Sequence, residues 1–172
     1  MADHHQVADA IRSRRTHKVY QKTPVPRETL EQLLELARWA PNHHLTNPWR
    51  FRVLGPAALE RLKSAEPESA AKLERAPTLV ACSVTQGGDE VQDREDICAG
   101  ACAVYAVMLA AHERGIASYW RTPKVLREPA GRTALGIGED ELVLGLLHLG
   151  FADREWSPPA RDEPAVYAQF LD

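Results

Sequence analysis

The densest group of side chains capable of chemistry is a basic segment near the start of the chain, residues 11–27. The Arg14-Arg15-Thr16 triplet places two guanidinium groups beside a hydroxyl, and this combination suits the many acceptor oxygens of a terminal phosphate. A solvated basic face is the competing interpretation of the segment taken alone. The segment contains no acid and six basic residues, which are Arg12, Arg14, Arg15, Lys18, Lys22 and Arg27.

A polar loop with two flanking tryptophans follows at residues 39–51, WAPNHHLTNPWRF. Its polar side chains can hydrogen-bond the edge of a flat heteroaromatic ring, and the indoles can cover the faces of that ring. Two core tryptophans around an ordinary surface loop are the alternative. The candidate residues are Trp39, Asn42, His43, Thr46, Asn47 and Trp49.

Metal binding by the adjacent His43 and His44 is a weaker hypothesis. Neighbouring histidines rarely reach one ion, and the sequence has no Glu-x-x-His or Cys/His set beside them. We therefore expect no metal.

A third candidate is the run SYWRT, residues 118–122, directly after a predicted strand. Loops at strand ends often carry ligand contacts, although a packed Trp120 with a surface Arg121 is the simpler interpretation. The chain has no GxGxxG, GxxxxGK[ST], GxSxG or HExxH motif. A nucleotide-like ligand would therefore be held by neither a Rossmann turn nor a P-loop.

Composition and charge narrow the classes of function. The 172 residues are 44% hydrophobic and 26% charged, which is typical of one globular domain. The net charge is −3, yet the first 52 residues carry nine basic and five acidic side chains. A local positive segment on an acidic protein favours a small anionic ligand over nucleic acid or a membrane surface.

The apolar runs are typical of the core of a folded protein rather than of a targeting segment or a membrane span. The start has no apolar signal region, and the longest uncharged apolar run, residues 97–111, is shorter than the roughly 20 residues that a membrane span needs. We expect a cytoplasmic protein. The sparse cysteines, Cys82, Cys98 and Cys102, are interpreted as small core thiols rather than a disulfide framework.

The spacing of apolar residues and the positions of proline and glycine predict an α+β fold with helices on both faces of a sheet. Pro26 is expected to start the second helix and Pro41 to stop it, Pro67 to break the third, and Asp96 to cap the long central one. The acidic run 139–141 is interpreted as a solvated loop. Helices are predicted at 3–13, 26–40, 57–75 and 97–114, a loop or single turn at 123–129, and strands at 49–54, 78–84, 116–120 and 142–151.

Taken together, these segments resemble the nitroreductase family of flavin enzymes over residues 7–150. The opening IRSRRTHKVY, the following PVPRETLEQLLELARWAP, and NPWRFRVL are similar to the family's N-terminal signature and first strand. SYWRT and GLLHLGFA look like the tryptophan-arginine loop and last core strand of a compact, minimal subgroup. The resemblance implies a mostly antiparallel sheet flanked by helices on both faces, in an α/β/α sandwich.

The resemblance also implies a cofactor, FMN, and a homodimer. Residues 1–172 would form one FMN-binding domain, with residues 152–172 as a C-terminal arm that packs on the partner subunit. Trp39 and His43 would reach the flavin from the second subunit. Leu45 and Asn47 depart from the Asn and Gln of many relatives, which changes the polar contacts to the ring. The implied cofactor-binding residues are Arg14, Arg15, Thr16, Lys18, Trp39, His43, Asn47, Trp120, Arg121 and Thr122.

The implied activity is transfer of hydride from NADH or NADPH, through FMN, to a small organic acceptor such as a nitroaromatic or a quinone, in a ping-pong cycle. Lys18 or Arg15 is the candidate cation near the reduced ring, and His43 or water the candidate proton donor. Two alternatives stay open: a flavoprotein of this fold with dehydrogenation, dehalogenation or flavin-fragmenting chemistry, and a flavin or nucleotide sensor without turnover.

Overall fold

The computed structural model describes residues 6–154, 157 and 159–171. Short 3-10 turns at His43–Leu45, Pro67–Ser69, Lys124–Leu126 and Pro164–Val166 link the larger elements. The helices are α1 (Gln6–Ser13), α2 (Arg27–Ala37), α3 (Pro56–Ala65), α4 (Ala70–Leu73), α5 (Glu90–Glu113) and α6 (Pro129–Ala134). The strands are β1 (Trp49–Val53), β2 (Thr78–Thr85), β3 (Ile116–Arg121) and β4 (Glu141–Phe151).

One antiparallel sheet organises the molecule, with strand order β1-β2-β4-β3. Successive side chains of β2 alternate between its faces: Val80 packs with α2 and α5, whereas Leu79 and Ala81 pack with α3 and α4. Because both faces of the central strands are covered, β2 and β4 are apolar almost throughout. The predicted α+β sandwich is confirmed.

The long central helix begins seven residues before the predicted start. Asp89 caps it, since its carboxylate accepts hydrogen bonds from the amides of Val91 and Gln92, each at 2.9 Å. The prediction that Asp96 caps this helix is wrong. Asp96 is buried within α5 and accepts a hydrogen bond of 2.5 Å from the Thr46 hydroxyl.

The face of α5 away from the sheet is open. Cys82 is buried as predicted, but Cys98 and Cys102 lie exposed on this face, so the prediction of core thiols fails for them. Tyr105 is also exposed there. By length and composition α5 alone among the described helices would reach across a membrane, yet half of its apolar window is buried inside the fold, as in a core helix.

The end of α2 and the region around residues 123–134 can also be compared with the prediction. Helix α2 ends at Ala37 rather than at Pro41, because the amides of Trp39 and Ala40 bond back three residues in a tightened turn. The predicted turn within residues 123–129 is present as the 3-10 turn Lys124–Leu126. Helix α6 was not predicted; Pro129 opens its first turn.

The acidic run 139–141 is not a solvated loop throughout, because Glu141 is buried and starts β4. Arg52 donates to both of its carboxylate oxygens, at 2.6 and 2.9 Å, and the hydroxyl of Ser83 also donates to it. We call Arg52, Ser83 and Glu141 the Arg52 corner. Sequence spacing gave no sign of this pairing, since 89 residues separate Arg52 from Glu141.

The C-terminal arm makes little contact with the rest of its own chain. Tyr167, Phe170 and Leu171 are exposed, with Phe170 at 100%. Of the arm, residues 155, 156, 158 and 172 lie outside the described range. So much exposed apolar surface at one end of the chain is typical of a segment that packs on another molecule.

Candidate functional site

The residues of the predicted phosphate site lie along the edge of the sheet. We call residues 14–18 the cationic segment. It runs beside the edge strand β3, where Thr16 forms a bridge with Ser118 and the amide of His17 donates to the carbonyl of Ser118 at 3.1 Å. Farther along, Tyr20 bridges to Ala152 and its hydroxyl donates to the carbonyl of His17 at 2.6 Å. These contacts fix the segment as an irregular addition to the sheet.

Several buried polar atoms of this segment have no hydrogen-bond partner within the described part of the chain. They include Nε and Nη1 of Arg14 and Nε of Arg15. The same holds for Nδ1 of His17 and for the hydroxyl of Ser118, which are also buried without a hydrogen-bond partner in that part of the chain. Ser118 is only 1% exposed. Burying a guanidinium nitrogen away from water without an acceptor is costly. Donors this dense therefore point to an anion that is not part of this chain.

The surroundings of the arginines are basic. His112, in the last turn of α5, lies 2.7 Å from the hydroxyl of Ser13. Burial, followed by the charges of Arg14 and Arg15, lowers the pKa of His112. Burial, His112 and Arg14 lower the pKa of His17 in the same way. Burial is the larger cause of both shifts, and the neighbouring positive charges that add to it would also attract an anion.

Trp120 and Arg121 end β3 and Thr122 follows it, directly after Ser118 and Tyr119, which contact the cationic segment. The indole of Trp120 donates to the carbonyl of Leu144 at 3.0 Å and packs against the core. Arg121 is half-buried and Thr122 exposed. The grouping of these three residues with Arg14–Lys18 in one site stays a prediction, and the Trp120 N–H is already used by the main chain.

Gly145 makes room for this arrangement of Trp120. Its φ is +143°, and a Cβ there would lie 2.6 Å from the indole nitrogen of Trp120. Only glycine combines that backbone conformation with so close an approach.

Lys18 and a buried histidine flank one aromatic ring. The ammonium of Lys18 lies 5.8 Å from the ring centroid of Tyr119, within the range of a cation–π contact. The ring centroid of His148 lies 5.6 Å from that of Tyr119. His148 is fully buried, and neither of its ring nitrogens has a partner among the described residues. Burial, followed by the charges of Arg121 and Arg75, lowers the pKa of His148 to about 4, so it is neutral at pH 7.

The polar loop, residues 42–47, has an unusual backbone. His44, Leu45 and Asn47 have φ values of 53°, 52° and 47°. Left-handed conformations are uncommon for residues with a Cβ, above all for a bulky leucine, and they cluster where a loop is held in one shape for function. The surrounding structure holds this loop in place through Thr46 and His43.

Hydrogen bonds to α5 supply that restraint. The imidazole of His43 lies 2.6 Å from the carboxylate of Glu95, and Thr46 donates to Asp96. The amide group of Asn47 donates to the carbonyl of Leu45 at 2.7 Å, so part of its capacity is used within the loop. No group of three metal-ligating side chains is found among residues 6–154 and the described part of the arm.

The cationic segment and the polar loop lie at opposite ends of α5. Ser13 contacts His112 near the end of the helix, and His43 contacts Glu95 near its start. Seventeen residues of helix correspond to about 25 Å. One chain therefore does not bring His43 to the same small ligand as Arg14. Trp39 is 75% exposed; its indole N–H donates to Glu35 at 3.2 Å, and the guanidinium of Arg38 lies 5.9 Å from its ring centroid.

Sequence reasoning missed part of this neighbourhood. Ser118 lay within the noted SYWRT run but was not chosen as a binding residue, and His17 lies inside the basic segment. Nothing in the sequence connects His112 with Arg14 or His148 with Tyr119, because these approaches depend on how α5 and β4 pack. The separation of the two candidate regions likewise becomes visible only in three dimensions.

Comparisons with known proteins agree with this architecture. The sequence model of the nitroreductase family matches residues 11–83. YfhC of Bacillus subtilis, provisionally named an NAD(P)H nitroreductase, is 27% identical, and the alignment covers 98% of this chain and 95% of that protein.

Two solved structures share the fold. A nitroreductase-like family protein from Bacillus cereus superposes with a TM-score of 0.89 at 22% identity, over 100% of this chain and 99% of that one. A protein from Desulfovibrio desulfuricans, provisionally named a nitroreductase and solved in complex with FMN, has a TM-score of 0.80 at 22% identity and covers 96% and 97% of the two chains.

Proposed function

From the premise that the chain belongs to the nitroreductase family, we propose that it is an FMN-dependent oxidoreductase that uses NADH or NADPH to reduce a small organic acceptor. The Bacillus subtilis relative is named for NAD(P)H, and the Desulfovibrio structure contains FMN. The acceptor class that fits an open flavin site is a nitroaromatic or a quinone.

The observation that carries the proposal is the set of unpartnered guanidinium nitrogens on Arg14 and Arg15. A phosphate monoester supplies three strongly accepting oxygens and close to two negative charges, which match the missing partners in number and sign. Thr16 and Ser118 add hydroxyls beside them. The residues present therefore fit the phosphate and ribityl part of FMN.

When bound, FMN supplies the redox chemistry, taking a hydride from NAD(P)H and passing it on to the acceptor. The chain binds and orients the cofactor through Arg14, Arg15 and Thr16, and Trp120, Arg121 and Thr122 close the site at the end of β3. Lys18, exposed and held near Tyr119, provides positive charge for the reduced state of the ring.

A second copy of the chain completes the site in this proposal. His43 contacts α5 about 25 Å along the helix from the residue that Ser13 contacts, so we expect His43, with its loop neighbour Asn47 and with Trp39, to reach the flavin from a homodimer partner. The open face of α5 and the exposed apolar residues of the described part of the arm, Tyr167, Phe170 and Leu171, supply apolar surface for such a dimer. His43, already paired with Glu95, is placed to deliver a proton to the acceptor.

A spectroscopic experiment tests the reaction class. Purified protein loaded with FMN is mixed anaerobically with NADH or NADPH, and the flavin absorbance is followed. We expect rapid bleaching, and recovery when a quinone or nitroaromatic is added. Stable yellow protein that no nicotinamide bleaches would contradict the proposal and favour a flavin sensor or the non-reductase chemistry.

Mixing two inactive variants tests the shared site. Arg14→Ala removes the phosphate contact and Trp39→Ala removes the proposed contact from across the dimer. In a mixed dimer one of the two sites keeps both residues. Random pairing of equal amounts makes half of the dimers mixed, so co-refolding should restore about a quarter of the flavin sites of the wild-type protein. No recovery, with dimers present by size, would show that Trp39 acts within its own chain or not at all.

A further inference from the structure

Two histidines from different elements lie beside the arginines of the cationic segment. His17 belongs to the segment itself and His112 to the last turn of α5. Nδ1 of His17 is buried and has no partner in the described structure, and Nε2 of His112 lies 2.7 Å from the hydroxyl of Ser13. Each histidine is close enough to Arg14 for that charge to act on it.

We propose that His17 and His112 are phosphate-binding residues, and that their protonation makes the protein prefer FMN over riboflavin more strongly as the pH falls from about 8 to about 6. The inference rests on the proposed function, since it concerns the same cofactor. In this inference, two titratable imidazoles donate to the phosphate in addition to the permanently charged Arg14 and Arg15.

The geometry gives each histidine a reason to change protonation state. Without an anion, burial and the neighbouring cations hold the pKa of both imidazoles below the usual value, so both are neutral near pH 7. A phosphate dianion beside Arg14 offsets those charges and offers an acceptor to an imidazole N–H. The imidazolium form is then favoured in the complex, and binding takes up a proton.

The other charged groups on the packed elements do not compensate these histidines. On α1, Asp9 pairs with Arg12 at 3.9 Å. On α5, Glu113 pairs with Arg114 at 3.8 Å. The charges that act on the two rings are those of Arg14 and Arg15 and, on His17, that of His112. On β3, the hydroxyl of Ser118 beside His17 is neutral.

The sign of the effect follows from linkage. A complex that binds a proton which the free protein lacks becomes tighter as the pH falls through the range between the two pKa values. The second pKa of a phosphate monoester, about 6, sets the lower limit of this range. Riboflavin lacks the phosphate, so its affinity should not follow the same profile.

Equilibrium fluorescence titrations with FMN and with riboflavin at pH 8, 7 and 6 test the proposal. We expect the ratio of the two affinities to rise about tenfold from pH 8 to pH 6, which corresponds to a pKa increase of somewhat more than one unit in one histidine. His17→Gln and His112→Gln should each flatten the slope, and the double variant should abolish it. Lys72→Gln, which removes an exposed positive charge on α4, should keep it.

A second measurement does not depend on any variant. The ring protons of His17 and His112 are titrated by NMR in the wild-type protein, with and without saturating inorganic phosphate. Both midpoints should move to higher pH when phosphate is present, whereas that of the buried His148 should not follow.

The outcomes separate this inference from the proposed function. A ratio of FMN to riboflavin affinity that stays constant with pH, or histidine midpoints that phosphate leaves in place, would overturn the role of His17 and His112 while leaving FMN binding intact. Failure to bind FMN at every pH would overturn the proposed function, and this inference with it.

Discussion

The Arg52 corner and the cationic segment both contain partly buried arginine, and they differ in whether the described chain supplies the acceptors. In the Arg52 corner, Arg52 donates to both oxygens of Glu141, to the hydroxyl of Ser83 and to the carbonyl of Gly136. In the cationic segment, Arg14 keeps two buried nitrogens without any partner that the structure describes. The first cluster is completed by the fold, whereas the second needs a ligand.

The difference shows how a structural cation can be told from a binding cation. A buried charge that is fully paired costs little to keep and a great deal to break, because its partner is left alone. A buried charge without a partner costs stability in the free protein and is retained where it binds something. The comparison therefore predicts opposite consequences for two arginine-to-alanine changes.

The largest expected effect is on folding stability at the Arg52 corner. Arg52→Ala leaves the carboxylate of Glu141 buried and short of donors, so the free energy of unfolding should fall by about 3 kcal/mol. Chemical denaturation of the purified protein measures it. Arg50→Ala, on the same strand but exposed, is the matched control and should change stability by less than about 1 kcal/mol. Equal effects of the two changes would remove the distinction on which the comparison rests.

The next effect is on cofactor binding. Arg14→Ala removes two unpartnered donors, so FMN affinity should fall by about 3 kcal/mol, on the order of a hundredfold, and the purified protein should lose its yellow colour. The stability of the ligand-free protein should be unchanged or slightly higher. Arg12→Ala is the control, since Arg12 is exposed and pairs only loosely with Asp9. Stoichiometric flavin in Arg14→Ala would show that Arg14 does not bind the phosphate.

Arg15→Ala should have an intermediate effect on FMN affinity. Only Nε of Arg15 is buried without a partner, and Nη1 already donates to the carbonyl of Arg14 at 2.7 Å. A loss of about tenfold is expected by the same titration. A loss of FMN affinity equal to or larger than that of Arg14→Ala would mean that the number of unpartnered nitrogens does not predict how much each arginine contributes to FMN binding.

The smallest effect is a dependence of stability on pH at the Arg52 corner. Burial acts to raise the pKa of Glu141, but hydrogen bonds from Arg52, Ser83 and the amide of Gly138 outweigh it and hold the value at about 2. Since this is below the unfolded value of about 4.3, the stabilisation is present above pH 4.3 and is lost as the pH falls toward 2.

Comparing Glu141→Gln with wild type should therefore show a stability difference at pH 6 that shrinks below pH 4. Acid-dependent denaturation curves measure it. Glu139→Gln, an exposed neighbour, should show no such change. A difference that persists to pH 2 would assign the stabilisation to packing rather than to charge.

The sequence predicted the fold well because most of its signals are local. Alternating and continuous apolar runs predicted all four strands to within about one residue, and Pro67 broke the third helical region as expected. The cap of α5 was misassigned because both Asp89 and Asp96 suit an N-cap, and only packing of the polar loop against Asp96 decides between them. The Arg14-Arg15-Thr16 triplet could be recognised because its residues are contiguous.

What the sequence could not predict depends on contacts between distant residues. The pairing of Arg52 with Glu141, the approach of His112 to the cationic segment and the separation of His43 from Arg14 all follow from how α5 and β4 pack across the sheet. The exposure of Cys98 and Cys102 was missed for a related reason. A helix that is apolar on every side has the same sequence pattern whether all of its faces pack within one chain or one face packs on a second chain.

One titration tests the central claim most directly: FMN and riboflavin are each bound to wild-type protein and to Arg14→Ala at fixed pH and salt. If the unpartnered guanidinium of Arg14 receives the phosphate, the substitution weakens FMN by on the order of a hundredfold and riboflavin by less than about twofold. Equal weakening of both ligands would contradict the account, because Arg14 would then act on the ring or on the fold and not on the phosphate.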